Sequence, residues 1–169
     1  MKKDDFLVAG IVILLILLFL PFSFLESFQT GFLFNNSYWA ITSFLKFGIL
    51  STIGESIGLR ITKGKYSYSG FGLLPRIIVW GFLGIGIKMA FVIFATGTPV
   101  LLDKLFHFGS APDSMKQKDI FEAIQNGLGF SRLVTAFAIS TFMNLIFAPV
   151  FMTLHKITDV HILQTGGSL

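Results

Sequence analysis

The chain has 169 residues, of which 53% are hydrophobic, 15% are aromatic and only 13% are charged. The charged share is about half of the roughly 25% of an ordinary soluble domain, and a domain of this size buries only about two thirds of the surface that it exposes when unfolded. Composition therefore excludes a disordered chain and a coiled coil, and it favours an integral membrane protein over a water-soluble one. The chain has no cysteine, which excludes disulfides, thiolate metal sites and cysteine catalysis.

The formal net charge of +4 comes from 13 Lys and Arg against 9 Asp and Glu. In a soluble protein, an excess of basic residues would suggest a nucleic-acid partner. Here the basic residues lie in short loops between apolar segments, as in the cytoplasmic loops of membrane proteins. We therefore expect the lipid bilayer as the partner, and no nucleic acid.

The first half of the chain contains two predicted membrane-spanning helices. Residues 6–25 form a run of 20 without a charge, which as a helix matches the about 30 Å of a bilayer core. A secretory signal peptide is the alternative, although no small-residue cleavage site follows. The second segment, 39–59, carries Lys46 and Glu55, so we expect it to pack inside a bundle.

The second half contains two more predicted spans and a shorter helix. Only Lys88 interrupts the apolar run 77–102, and the run 133–154 has no charge. Between them, residues 114–126 carry apolar side chains on one face, which predicts an amphipathic helix on the membrane surface. A re-entrant gate is the alternative for this segment. The predicted fold is an all-α integral membrane protein, a single domain over residues 1–169 with four spanning helices and this surface helix.

Basic residues near the ends of the predicted spans indicate the orientation. With the N-terminus inside, the inner side carries seven Lys and Arg and the outer side four. The excess predicts that both termini are inside. The N-terminal residues Met1–Asp5 lack the composition of a transit peptide. We therefore expect a bacterial cytoplasmic (inner) membrane.

Three charges lie at predicted membrane depth: Lys46, Glu55 and Lys88. Each costs about 2.5–3.5 kcal/mol on insertion scales, so each is expected to face protein or water. Helical spacing places Glu55 and Lys88 on the glycine-bearing faces of their helices. We therefore expect the two faces to meet and Glu55 to pair with Lys88. Such a pair either orients two helices or lines a polar pathway.

The other polar groups within predicted spans allow two interpretations each. Lys46 either extends its ammonium toward the outer interface or, with Lys88, forms a positive constriction that favours anions. Asn144 either makes an interhelical hydrogen bond or lines a pore.

Motifs typical of enzymes are weak in this chain. Residues 54–58 match the G-x-S-x-G pattern of hydrolases, but they lie inside a predicted membrane helix, whereas His107, His155 and His161 all lie in predicted loops or the tail. The same residues supply Gly54 and Gly58 at helix-packing spacing, and Gly81 and Gly84 give the third span a similar face. A metal site formed by His155, Asp159 and His161 fits no usual ligand spacing. We expect no enzyme activity, no metal and no cofactor.

Four short motifs follow one another between Lys46 and Pro149. They are Gly48 followed by Gly54-Glu55, then Arg76 followed by Gly81, Gly84 and Gly86, then Asp103-Lys104, and finally Lys118-Asp119 leading to Gln125-Asn126-Gly127-Leu128-Gly129-Phe130. In order and spacing, this series resembles the Mpv/peroxisomal-membrane-protein family, small helical proteins of mitochondrial, peroxisomal and bacterial membranes. The resemblance implies a channel-like or membrane-homeostasis role, no known catalytic chemistry, and functional importance for Glu55 and Arg76.

The chain departs from the family in several places. Glu55 stands where the family has aspartate, and the Gly-Pro and Trp-Tyr of the family's second helix have no counterpart between Gly84 and Asp103. The late Trp-Pro and Gln-x-x-Asn-Phe motifs are missing as well, and the chain ends about where that region would begin. The chain is therefore interpreted as a bacterial-type member that lacks the C-terminal motif region, and a fragment of a longer protein is an open alternative.

Two functional hypotheses follow. The first is a small membrane channel or pore-like protein whose central polar face includes Glu55 and Lys88, with an unknown cargo. The alternative is a non-transporting membrane scaffold or partner-binding subunit that uses the glycine faces to form a homo-oligomer or to bind another membrane protein.

Overall fold

The computed structural model describes residues 3–168 and is 82% helix, with no strand in that range. The helices that we number are α1 (Lys3–Leu17), α2 (Trp39–Lys63), α3 (Leu73–Phe106), α4 (Ala111–Lys116), α5 (Ile120–Gln125) and α6 (Gly129–Gln164). The predicted all-α fold is confirmed.

Two of the helices described, α3 and α6, are long and apolar enough to cross a membrane by length and composition. They have 34 and 36 residues, and only 17% and 6% of their most apolar windows is buried inside the molecule. Helix α1 has only 15 residues, and α2, although it has 25, carries several charges.

The apolar run 6–25 predicted a helix that continues to about residue 25. In the structure, α1 ends earlier, at Leu17. Pro21 lacks a backbone N–H and disfavours a helical conformation at the residue before it. At 1.5 Å per residue, α1 is about 22 Å long, which is shorter than a bilayer core. The chain then continues through a helical segment of mixed geometry over residues 23–33 and a short 3-10 helix, Asn36–Tyr38. The Gln29 side chain donates to the carbonyls of Leu18 and Leu20 (2.9 and 2.8 Å), which replaces part of the lost helical bonding.

Helices α2 and α3 are antiparallel and pack closely through glycines. A Cβ on Gly81 would lie 2.4 Å from the Phe44 ring, and one on Gly84 would lie 2.4 Å from the Cβ of Phe47. The missing side chains therefore let the two backbones approach. At the end of α2, Gly64 adopts a φ of +74°, the left-handed conformation that commonly ends a helix.

The predicted helix over 114–126 is two short helices, α4 and α5. Gln117 is extended between them, and the Asp119 side chain accepts from the Glu122 amide to begin α5. The connection is held against α6 by Arg132, which donates to the Ser114 and Gln117 carbonyls (2.9 and 2.7 Å).

Helix α6 is longer than the predicted span 133–154, since it begins four residues earlier and continues to Gln164. Residues Met143–Phe147 form a wider turn in its middle, just before Pro149. Such a turn accommodates a proline, which cannot donate to the helical ladder. The last three turns of α6 reach the beginning of α3, where the principal polar site lies.

Candidate functional site

The Glu55 carboxylate lies where α2, α3 and α6 meet. Its Oε2 is 2.6 Å from Nη1 of Arg76, and its Oε1 accepts from Nε1 of Trp80 at 3.0 Å. On the α6 side, Nε2 of His155 is 3.4 Å from Oε1. The predicted pairing of Glu55 with Lys88 is therefore wrong. Lys88 follows Arg76 by 12 residues, which is about 18 Å along α3 and beyond the reach of both side chains.

Arg76 is buried, with 6% of its surface exposed, and joins three parts of the chain. Its Nη2 is 2.5 Å from Oδ1 of Asp159, and its Nε donates to the Phe71 carbonyl at 2.8 Å. The guanidinium also lies 4.5 Å from the centre of the Phe71 ring. One cation thus serves two carboxylates from different helices, an arrangement that suits the planar fork of arginine.

His155 completes this group. Its ring centre lies 4.3 Å from that of Trp80, and its Nδ1 is buried without a hydrogen-bond partner in residues 3–168. We call Glu55, Arg76, Trp80, His155 and Asp159 the charge cluster. With neutral His155, the cluster carries a formal charge of −1, from two carboxylates and one guanidinium.

Sequence reasoning identified Glu55 and Arg76 but missed the part played by α6. It considered His155 and Asp159 only as metal ligands with His161, whereas here they contact Glu55 and Arg76. The predicted end of the last span at residue 154 left both residues outside a helix. Their spacing of four residues, on a helix continued to Gln164, is the signal that places them on one face.

Lys46 and Lys88 lie together at the opposite end of the α2–α3 contact. Both line a cavity of about 280 Å³, which we call the lysine cavity. Nζ of Lys46 donates to the Leu33 carbonyl at 2.6 Å and lies 4.8 Å from the centre of the Phe34 ring. Lys88 makes no ion pair within residues 3–168 and also borders a second cavity of about 550 Å³.

Asn144 lines a third cavity, of about 370 Å³, between α3 and α6. Its amide donates to the Ser140 carbonyl of its own helix at 2.9 Å, and no interhelical hydrogen bond of Asn144 occurs in the described part of the chain. Ile87 and Phe91 line both this cavity and the lysine cavity. The two cavities therefore lie next to each other, separated by the side chains of Ile87 and Phe91 on α3.

The four glycines predicted to pack helices divide into two pairs. Gly81 and Gly84 are buried against α2, as described above. Gly54 and Gly58 have open space where a side chain would stand, with no atom within 4 Å. Gly54 borders an apolar cavity of about 290 Å³ between α1 and α2.

A second polar group, not identified in the sequence, ties the beginning of α1 to the end of α2. Nε and Nη2 of Arg60 lie 2.7 and 2.9 Å from the two Asp5 oxygens. The Tyr66 hydroxyl donates to Asp5 Oδ1 at 3.0 Å. Desolvation raises the pKa of Tyr66, and the hydrogen bond and charge of Asp5 raise it further. Arg60 and Lys63 lie in the last turn of α2, so this contact marks one end of the bundle.

Comparison of the chain with family models, with curated proteins and with solved structures finds no match.

Proposed function

We propose that this chain is a small integral membrane protein that conducts solutes along one face of α3. The observation that carries the proposal is the pair of lysines on neighbouring helices at one cavity, in a chain otherwise dominated by exposed apolar side chains. Charges at membrane depth face protein or water because exposure to lipid is costly. A water-filled cavity is the simplest environment for two ammonium groups without a carboxylate partner.

The route that we propose follows the face of α3 that carries Arg76, Trp80, Ile87 and Phe91, at helical spacing. One end of this face borders the lysine cavity and the cavity of about 370 Å³ that Asn144 lines. The other end is closed by the charge cluster, where Trp80 and Arg76 contact α6. In this proposal, the cavities form an entrance and the charge cluster forms the gate.

We propose four membrane-spanning segments, with α1 and the short helical segment after it forming the first and α2, α3 and α6 the others. Irregular backbone at membrane depth is tolerated where it is buried in protein or lines a water-filled cavity. Residues 33–36 meet this condition, since they line the lysine cavity. The N-terminus inside, a bacterial inner membrane and α4–α5 on the membrane surface complete the proposal. The resemblance to the Mpv/peroxisomal-membrane-protein family supports the same type of function.

Reconstitution tests conduction directly. Purified protein in liposomes is expected to release an entrapped polar dye, and Glu55→Gln is expected to increase the rate about tenfold. That factor corresponds to about 1.4 kcal/mol of bias removed from the closed state. Glu26→Gln is the matched control, because Glu26 is exposed and distant from the cluster. Absence of flux from both the wild-type protein and Glu55→Gln, in correctly folded samples, would reject the pore.

The alternative is a scaffold that binds a membrane partner or a second copy. The specific observation in its favour is the open surface at Gly54 and Gly58, four residues apart on α2. Small residues at this spacing let another helix approach closely in a membrane. A scaffold predicts that Gly54→Leu reduces cross-linked dimers in vesicles while no variant changes dye release.

A further inference from the structure

We infer that the lysine cavity is a binding site for a small anion. Lys46 comes from α2 and Lys88 from α3, so two separate elements bring positive charge to one cavity. In residues 3–168, neither ammonium forms an ion pair with a carboxylate. Two cations at one cavity repel each other, and an anion between them offsets that repulsion.

Neutral polar groups complete the site. Asn36 and Ser43 line the cavity, and their side chains make no hydrogen bond to any other residue described. An amide N–H and a hydroxyl can both donate to an anion, as the two ammonium groups can. Trp39 supplies an apolar wall beside these donors.

The size of the cavity limits the ligand. Its volume of about 280 Å³ lies just below the range of about 300–1,000 Å³ that holds drug-sized ligands. We therefore assign a halide, a nitrate, or a single phosphate or carboxylate group. The group is either a free anion or the head of an anionic lipid, and the experiment below separates these sources.

The inferred anion site does not depend on the proposal that the protein conducts solutes. Only the consequence that a pore would favour anions over cations rests on the proposed function. If the protein binds an anion but conducts nothing, the anion site stands and the pore is rejected. If the protein conducts but binds no anion, only the anion site is rejected.

The two tryptophans of the chain allow a direct measurement, because Trp39 lines the cavity and Trp80 lies in the charge cluster. In the Trp80→Phe protein, in neutral detergent, iodide is expected to quench Trp39 fluorescence saturably, and inorganic phosphate is expected to compete. In the Trp39→Phe protein, quenching of Trp80 is expected to lack this saturable component.

Lysine variants in the Trp80→Phe background test the assignment. Lys46→Gln and Lys88→Gln are each expected to weaken iodide binding at least about fivefold, the factor that one unit charge at about 4 Å supplies even in water. Lys88→Arg retains the charge and should retain binding. Lys116→Gln is the control, since that side chain is 74% exposed. Unchanged quenching by neutral acrylamide verifies that Trp39 keeps its surroundings.

Equal, non-saturable quenching in all variants would overturn the inference. The same measurement in nanodiscs identifies the source of the anion. Loss of iodide binding in phosphatidylglycerol but not in phosphatidylcholine nanodiscs would assign the site to a lipid headgroup. Competition by phosphate in both lipids would assign the site to a free anion. Competition by neither phosphate nor phosphatidylglycerol would overturn the inference.

Discussion

At the scale of single residues, Arg76 connects three helices, α2, α3 and α6, through one guanidinium. It binds Glu55 of α2, Asp159 of α6 and the Phe71 carbonyl that precedes its own helix. A buried charge without partners lowers the stability of the fold, and removal of one partner leaves the remaining charge uncompensated. The residue therefore acts as the centre of the α2–α3–α6 junction.

We expect Arg76→Lys to lower the free energy of unfolding by about 2 kcal/mol, since one ammonium cannot reproduce the planar fork toward three acceptors. Thermal unfolding in detergent, followed by circular dichroism, measures the change. Lys104→Gln, at an exposed position, is the control and should change the midpoint little. Equal stability of Arg76→Lys and the wild-type protein would show that the junction does not depend on the fork.

Tyr66 provides a prediction about pH. Its pKa is raised in the folded protein, first by desolvation and then by Asp5, so the neutral hydroxyl is the form that folding favours. The contribution of Tyr66 to stability is therefore complete below its unfolded pKa of about 10 and is lost as the pH rises through the higher folded value. Absorbance of phenolate near 295 nm follows the titration.

Asp5→Asn is the matching variant, because it removes the negative charge that opposes phenolate formation. The pKa of Tyr66 is expected to fall in this variant. A rise in the pKa of Tyr66, or no change, would contradict the role assigned to Asp5.

At the scale of helices, the α2–α3 contact depends on which glycine faces the partner. Gly84 stands against the Cβ of Phe47, an atom that cannot move without the α2 backbone. Gly86, on the same helix, has no atom within 4 Å of the position of an added Cβ. The two glycines are two residues apart and therefore point to different sides of α3.

We expect Gly84→Ala to destabilise the protein by about 1–3 kcal/mol, the usual cost of adding a methyl group to a full contact. Gly86→Ala should be neutral or stabilising by up to about 1 kcal/mol, because alanine is the better helix former. Thermal unfolding of both variants in detergent measures the difference. Equal effects of the two substitutions would show that the close α2–α3 contact is absent in solution.

At the scale of the whole molecule, the polar groups divide between two levels of one bundle. The charge cluster lies near the ends of α2 and α6, whereas the lysine cavity lies about 18 Å along α3 from Arg76. The loops 64–72 and 107–128 lie at opposite ends of α3. A bundle that spans a membrane would place these loops on opposite sides.

Single-cysteine variants test this topology, since the chain has no cysteine of its own. With the N-terminus inside, a membrane-impermeant maleimide added to intact cells is expected to label Lys118→Cys but not Lys65→Cys. Permeabilised cells, in which both variants should react, are the control. The reverse pattern would contradict the orientation, and equal labelling in intact cells would contradict the span.

Much of the element pattern was predictable from the sequence. The apolar runs 77–102 and 133–154 lie inside α3 and α6, and the run 39–59 lies inside α2. Helix ends were less predictable, because turns of mixed polar and apolar residues, such as His155 to Gln164, continue a helix beyond the end of the uninterrupted apolar run. The early end of α1 follows from Pro21, whose local effect outweighs the apolar composition of the run.

The sequence by itself determined the helical class, the apolar segments and the glycine-bearing faces, because these depend on residue type and on spacing within one helix. Only the tertiary structure decided the partners: Glu55 with Arg76, Asp159 with Arg76, and Lys46 beside Lys88. Partner choice depends on the register of one helix against another. Arg76 and Lys88 lie about 18 Å apart along α3, but spacing within a single helix does not say which of the two stands at the level of Glu55 on α2.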